Sequence, residues 1–252
     1  MNSVYQLTNK IALITGGAEG IGLGIAREYV SQGAKVIITG RTETKLVEAK
    51  KLLGKECEYF VNDVSQKELH SELIQSIEET YGPIDILVNN AGMHMKKETL
   101  EITNREFESV MDINVNSVFS LTIAVLPGMM ERKKGSIIFI SSMAALYGLP
   151  KVISYSASKT ALLGLARSLS TEYGYTGIRF NCIAPGFIET KMLLKAVRND
   201  PERKQRILKR TPVGRFGTIK EVGYTAGFLA SDASEFITGT CIPVDGGNSI
   251  GF

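Results

Sequence analysis

Thr15-Gly16-Gly17-Ala18-Glu19-Gly20-Ile21-Gly22 follows an apolar, β-branched run and opens an amphipathic helical pattern. Glycines at such a junction let the backbone turn sharply and approach a pyrophosphate, which sits at the positive end of the helix. The spacing is G-x-x-x-G-x-G, not G-x-G-x-x-G, so a plain glycine-rich turn stands as the other reading of this stretch alone. Further along, six more short apolar runs alternate with helical patterns. The expected strands are 11–15, 35–39, 57–61, 84–88, 136–141, 179–183 and 241–244. Their cores are nearly continuous in apolar residues, as expected of strands covered on both faces. Three intervening helices carry capping-box pairs: Ser65 with Glu68, Thr103 with Glu106, and Thr218 with Glu221. Strand–helix alternation with no linker or repeat predicts one α/β domain over 1–252, a doubly wound parallel sheet flanked by helices on both faces. The segment 186–215, charged and marked by Pro and Gly, is expected to be largely irregular, to hold a short helix and to act as a substrate lid.

Composition narrows the function. The 252 residues carry 29 Lys and Arg against 26 Asp and Glu, a net charge of +3. That balance argues against a nucleic-acid or membrane-surface partner. Two histidines, His70 and His94, and three cysteines, Cys57, Cys182 and Cys241, show no CxxC or HxxxH spacing, so no metal site is expected. Dispersed cysteines fit a reducing cytoplasm. No apolar run approaches the roughly 20 residues of a membrane span, and the opening MNSVYQLTNK has no signal-peptide core.

The second strand ends in Thr39-Gly40-Arg41, where many dinucleotide folds place a carboxylate for the ribose 2′-hydroxyl. Gly40 removes that acid, and Arg41 either meets a 2′-phosphate or is a solvated strand-end residue; Glu19 argues mildly against a phosphate nearby. Asp63 reads as an adenine contact or a turn residue. Asn89-Asn90-Ala91-Gly92 reads as a close approach to a cofactor or as a simple turn. Asn114 falls in an apolar stripe with Phe107, Met111, Val118, Leu121 and Val125, as a satisfied core amide or as part of a site. Tyr155 and Lys159, at i and i+4, lie on another apolar stripe. The lysine either snorkels to solvent or borders a cleft. Ser142 follows the fifth strand; with no partnered histidine motif, it does not read as a triad nucleophile.

Together and in this order, these residues resemble the short-chain dehydrogenase/reductase family across essentially the whole chain. TGxxxGIG is Thr15 to Gly22, NNAG is Asn89 to Gly92, YxxxK is Tyr155 to Lys159, and Pro185-Gly186 and Val244-Asp245-Gly246-Gly247 also fit. The resemblance implies a seven-stranded parallel Rossmann sheet and hydride transfer between NAD(P)(H) and a small carbonyl or alcohol. It implies a catalytic tetrad of Asn114, Ser142, Tyr155 and Lys159, with Tyr155 as general acid/base and Asn114 holding a water that serves Lys159. The cofactor contacts it implies are Gly16, Gly20, Ile21, Gly22, Arg41, Asp63, Val64, Asn90, Ala91, Gly92, Tyr155, Lys159, Pro185, Gly186, Ile188 and Thr190. NADP(H) is the expected cofactor and NAD(H) the alternative, because many NADP-using relatives carry Arg or Lys where this chain has Glu19. A 3-oxoacyl-carrier-protein reductase, a sugar, polyol or gluconate-type dehydrogenase, and a non-catalytic dinucleotide sensor on the same fold are the competing functions. Between Asp112 and Glu131 there is no charge, and between Lys159 and Glu172 only Arg167. Helices so poor in charge are expected to be covered by symmetry mates, giving a homotetramer or a dimer.

Overall fold

The computed structural model describes residues 4–198 and 200–251; of the expected 1–252 domain, residues 1–3, 199 and 252 lie outside the described residues. Seven parallel strands form one sheet in the order β3-β2-β1-β4-β5-β6-β7. They are β1 Ile11–Thr15, β2 Lys35–Gly40, β3 Cys57–Val61, β4 Ile86–Asn89, β5 Gly135–Ile140, β6 Ile178–Pro185 and β7 Cys241–Val244. The expected strands are all present, with the fourth shifted two residues later at its start. Strand order reverses between β1 and β4, and a ligand binds in such sheets at the carboxyl ends of the strands beside that reversal.

The helices are α1 Gly20–Ser31, α2 Glu43–Leu53, α3 His70–Tyr81, α4 Asn104–Met111, α5 Ser117–Arg132, α6 Ile153–Tyr173, α7 Lys191–Arg198, α8 Pro201–Arg210 and α9 Ile219–Ala230. One face of the sheet packs Ile14, Ile38 and Val88 against α1 and α9 through Ile25, Val222 and Leu229. The other packs Leu13, Leu87 and Phe139 against α3, α5 and α6 through Ile77, Leu121 and Leu162. Thr103 and Thr218 close their capping boxes with Glu106 and Glu221. The Ser65–Glu68 box does not form. Asp63 Oδ1 accepts from both the Ser65 amide, at 3.0 Å, and its hydroxyl, at 2.9 Å, so Ser65 closes a turn rather than capping a helix.

Two further expectations are corrected. The segment 186–215 holds two helices, α7 and α8, joined by a small apolar cluster of Val197, Ile207 and Phe216. The helical run Asn104–Arg132, counted through, is long and apolar enough to cross a membrane by length and composition. In the fold it is a core helix whose Val118, Leu121 and Val125 pack beside the sheet, while Phe119 and Ile123 stay exposed.

Candidate active site

The glycine stretch links the end of β1 to α1. Gly16 and Gly20 have φ of +64° and +56°, a region L side chains rarely adopt. Gly22 is required for a different reason, since a Cβ on it would lie 2.3 Å from the Gly16 carbonyl oxygen. Thr15, which the motif marks only as its first letter, ties this loop to β4. Its hydroxyl accepts from the amides of Asn90 and Ala91, each at 3.0 Å. In return, Asn90 Nδ2 donates to the carbonyls of Thr15 at 2.8 Å and Gly16 at 3.1 Å. Asn90 therefore shapes the loop through its side chain. The first turn of α1 has no acidic residue and no side-chain cap, so its positive end is open to an anion. Thr190 caps α7 through the Leu193 amide and stands over the loop, 3.6 Å from where a Gly20 Cβ would be. A dinucleotide pyrophosphate fits this cradle.

Around it, Arg41 is exposed just beyond β2. Glu19 forms an ion pair with Lys45 of α2 at 3.0 Å. Asp63 is held below the usual carboxylate range by the Ser65 amide first, with Arg41 adding to the effect. Val64 and Ile21 are half-buried beside these loops. Gly186 follows β6 so closely against Asp245 that a Cβ would come within 2.7 Å of its Cα. Ile188 puts its side chain into the core and pairs as an isolated parallel bridge with Gly217.

The tetrad residues converge at the ends of β4 and β5. Ser142, nearly buried, accepts from the Ala144 amide at 3.1 Å. Burial pushes the Tyr155 phenol above its ordinary value, and the neighbouring Ser142 hydroxyl, hydrogen-bonded to it, pulls it back. Lys159 does not snorkel: it is 4% exposed, and its Nζ donates to the Ile140 carbonyl at 2.8 Å. The Ser141 hydroxyl holds the Lys159 carbonyl at 2.8 Å, fixing α6 to the end of β5. Burial lowers the Lys159 ammonium to about 8. Its Nζ lies 5.8 Å from the Tyr155 ring centre and 3.3 Å from where a Gly92 Cβ would be. One of its three donors is committed to Ile140, which leaves others for ribose hydroxyls.

Asn114 sits in a π-helical turn, Asp112–Asn116, between α4 and α5. Such wide turns are rare and cluster at functional sites. Its Oδ1 accepts from the Met93 amide at 2.7 Å, while Nδ2 donates to the Met93 carbonyl and the Ser158 hydroxyl, each at 2.9 Å. The amide is thus both satisfied and within the site, facing Lys159 across Gly92. Sequence reasoning missed His94. Its ring lies 4.7 Å from that of Tyr155, tilted by 58°. No motif signals this contact; only the position of His94, two residues past NNAG, hints at it.

Fold and site together define a dinucleotide-dependent oxidoreductase. The family profile described as "Enoyl-(Acyl carrier protein) reductase" matches residues 16–249. The chain is 39% identical over 251 residues to the 3-oxoacyl-[acyl-carrier-protein] reductase FabG of Chlamydia muridarum, covering 98% of this chain and 99% of that protein. It is 38% identical over 250 residues to the 2-dehydro-3-deoxy-D-gluconate 5-dehydrogenase of Bacillus subtilis, covering 98% and 97%. A gluconate 5-dehydrogenase from Burkholderia cenocepacia, solved in complex with NADP and tartrate, matches with a TM-score of 0.94 at 33% identity, over 100% of this chain and 99% of that one. The chain belongs to the short-chain dehydrogenase/reductase family, and it acts on CH–OH groups with NAD(P).

Proposed function

We propose that the protein interconverts a small ketone and a secondary alcohol, prefers NADP(H), and works in the cytoplasm as a homotetramer or dimer. The observation that carries the reading is the convergence of Ser142, Tyr155 and Lys159 on one point at the strand ends. When bound, the nicotinamide cofactor supplies or accepts the hydride. Ser142 holds the substrate oxygen and Tyr155 passes the proton at that oxygen, as acid in reduction and as base in oxidation. Lys159 favours the phenolate by its charge and holds the ribose; Asn114 keeps the Met93 loop and Ser158 in place around it. The helices α7 and α8 are the lid that excludes water. Assays at 340 nm with ketones, 3-oxoacyl thioesters and sugar acids, each with both cofactors, test the reading; no turnover of any of them sinks it.

The NADP preference follows from three features. Gly40 offers no carboxylate, and a Cβ there would make only ordinary contacts, 3.6 Å from Leu46, so packing does not forbid a side chain. Arg41 is exposed alongside, and Lys45 neutralises Glu19. NADPH is expected to exceed NADH in kcat/KM by about tenfold, the size of one charge-assisted contact. Arg41→Ala should erase most of that while sparing NADH, and Gly40→Asp should reverse it. An unaltered enzyme that uses both equally contradicts the assignment.

The reading of assembly rests on the charge-poor outer faces of α5 and α6, where Arg167 is the one exposed charge between Lys159 and Glu172 and Phe119 and Ile123 are 48% and 40% exposed. Ser158, on the same helix, is turned inward and buried against Asn114. Gly164 is exposed, and a Cβ there meets nothing within 4 Å. Gly164→Arg should therefore leave the protomer folded, even gaining helix propensity of up to ~1 kcal/mol, while splitting the oligomer. Light scattering checks this; an unchanged oligomer in Gly164→Arg refutes the interface.

A further inference from the structure

We propose that Tyr147, Asn248 and Thr211 form a latch between the base of the lid and the loop that begins at Ser142, which makes all three positioning residues for the reaction. The inference rests on the reading of α7 and α8 as a lid.

Val244-Asp245-Gly246-Gly247 builds the seat of this latch. Asp245 closes the turn, accepting from the Gly247 amide through Oδ1 at 2.9 Å and from the Ser249 amide through Oδ2 at 2.7 Å. Gly246 and Gly247 have φ of +62° and +82°. Both pass close to the chain that leaves α8. A Cβ on Gly246 would lie 3.0 Å from Thr211 Cγ2, and one on Gly247 would lie 2.9 Å from Pro212 Cγ. The Val213 amide donates to the Gly246 carbonyl at 3.2 Å. The end of α8 is thus packed onto the turn by backbone contact.

Asn248, the next residue, is fully buried, and its side chain reaches both ways. Oδ1 accepts from the Tyr147 hydroxyl at 2.7 Å, and Nδ2 donates to the Thr211 hydroxyl at 2.8 Å. The Thr211 hydroxyl donates onward to the Ile207 carbonyl at 2.8 Å, inside the last turn of α8. The Asn248 carbonyl accepts from Arg210 Nε at 3.0 Å, and the Arg210 guanidinium lies 4.4 Å from the Tyr147 ring centre. Tyr147 follows Ser142 by five residues, and its amide donates to the Met143 carbonyl at 3.3 Å. One buried amide therefore joins the base of the lid to the turn that starts at the catalytic serine. Losing a partner on either side would strand a polar atom away from water.

Ser142 holds the substrate oxygen, and the lid encloses the rest of the substrate. Fixing one to the other sets the pocket before the substrate arrives. Preorganisation of this kind acts on binding, not on proton or hydride transfer. With the base pinned, closure is left to the other end of the lid, where Thr190 caps α7 above Gly20.

Tyr147→Phe cuts the serine side of the latch and keeps the ring beside Arg210. Thr211→Val cuts the lid side and keeps the side-chain shape. In the reduction of ethyl acetoacetate with NADPH, each should raise KM about fivefold, the size of one buried hydrogen bond, with kcat and NADPH affinity within about twofold. The double variant should be no worse than the worse single one, because either cut opens the same link. Hydrogen exchange of the NADPH-bound protein reads the link without turnover. Tyr147→Phe should speed exchange of amides 204–210 by about fivefold, and Thr211→Val should do the same for amides 143–149, each effect crossing from one segment to the other. The latch is refuted if each substitution loosens only its own segment, or if the two KM effects multiply in the double variant. A fall in kcat with KM unchanged, as expected of a purely structural role, also refutes it. Equal protection of α7 and α8 with and without NADPH is a separate result: it removes the lid, while exchange across the link still decides the latch. If ethyl acetoacetate is not reduced, the exchange result decides alone.

Discussion

Tyr155→Phe is expected to lower kcat by about 10²–10⁴-fold in both directions, the range for losing a positioned acid/base, while NADPH affinity stays within a few-fold. The ring survives in the variant, and with it the contact to His94 at 4.7 Å. Only the hydroxyl beside Ser142 is removed. The pH dependence should carry opposite signs in the two directions. Reduction needs the protonated phenol, so its rate is flat at low pH and falls as pH rises through the apparent pKa. Oxidation needs the phenolate, so its rate climbs with pH over the same interval. In the protein without ligand, burial pushes the phenol up rather than down. Bringing a phenol from about 10 to near neutrality requires about 4 kcal/mol of differential stabilisation. Lys159 supplies part of it only while it is charged, and its own value of about 8 means that this support fades in alkaline solution. A variant that keeps more than a tenth of the activity, or a profile of the same sign in both directions, would remove Tyr155 from the proton path.

How far this site can be read from residues depends on whether a contact is local in sequence. The strands are legible because a parallel sheet covered on both faces selects short continuous apolar runs. Tyr155 and Lys159 are legible because helical spacing alone puts them on one face. Asn114 is half legible: its place in the stripe shows that the amide needs partners, but not that Met93 and Ser158 supply them or that a π-helical turn carries it. His94 is not legible, since its contact with Tyr155 joins the loop after β4 to the first turn of α6, with Asn114 clamping the residue before it. The paired helices of 186–215 were obscured by charge. The apolar residues Val197, Ile207 and Phe216 are too sparse to show a period, and they become a cluster only when α7 and α8 fold against each other. Ser65 misleads because the capping-box pattern ignores competition: Asp63, two residues earlier, captures both of its donors.

Gly22→Ala is expected to be among the most damaging single-methyl changes in the cofactor cradle. Gly22 opens the first turn of α1 and is buried there, and its Cβ would lie 2.3 Å from the Gly16 carbonyl oxygen and 2.6 Å from Asn90 Nδ2. Neither neighbour can yield easily. The Gly16 carbonyl accepts from Asn90, and Asn90 is bound through its own amide to the Thr15 hydroxyl. Relief requires moving α1 away from β1 or opening the loop, and either change misaligns the helix end that would face the pyrophosphate. Overpacking of this kind costs about 3 kcal/mol, equivalent to a fall in Tm of roughly 6–12 °C for a domain of this size. NADPH affinity should drop by two orders of magnitude or more, measured by fluorescence titration at a temperature where the variant is still folded. Gly20→Ala is the matched control. Its Cβ has room, with Thr190 at 3.6 Å, but φ is +56°, so only the left-handed strain of about 1–2 kcal/mol applies. The order of damage should be Gly22 well beyond Gly20. If the two variants lose stability and cofactor affinity equally, close approach is not what the glycine at position 22 provides.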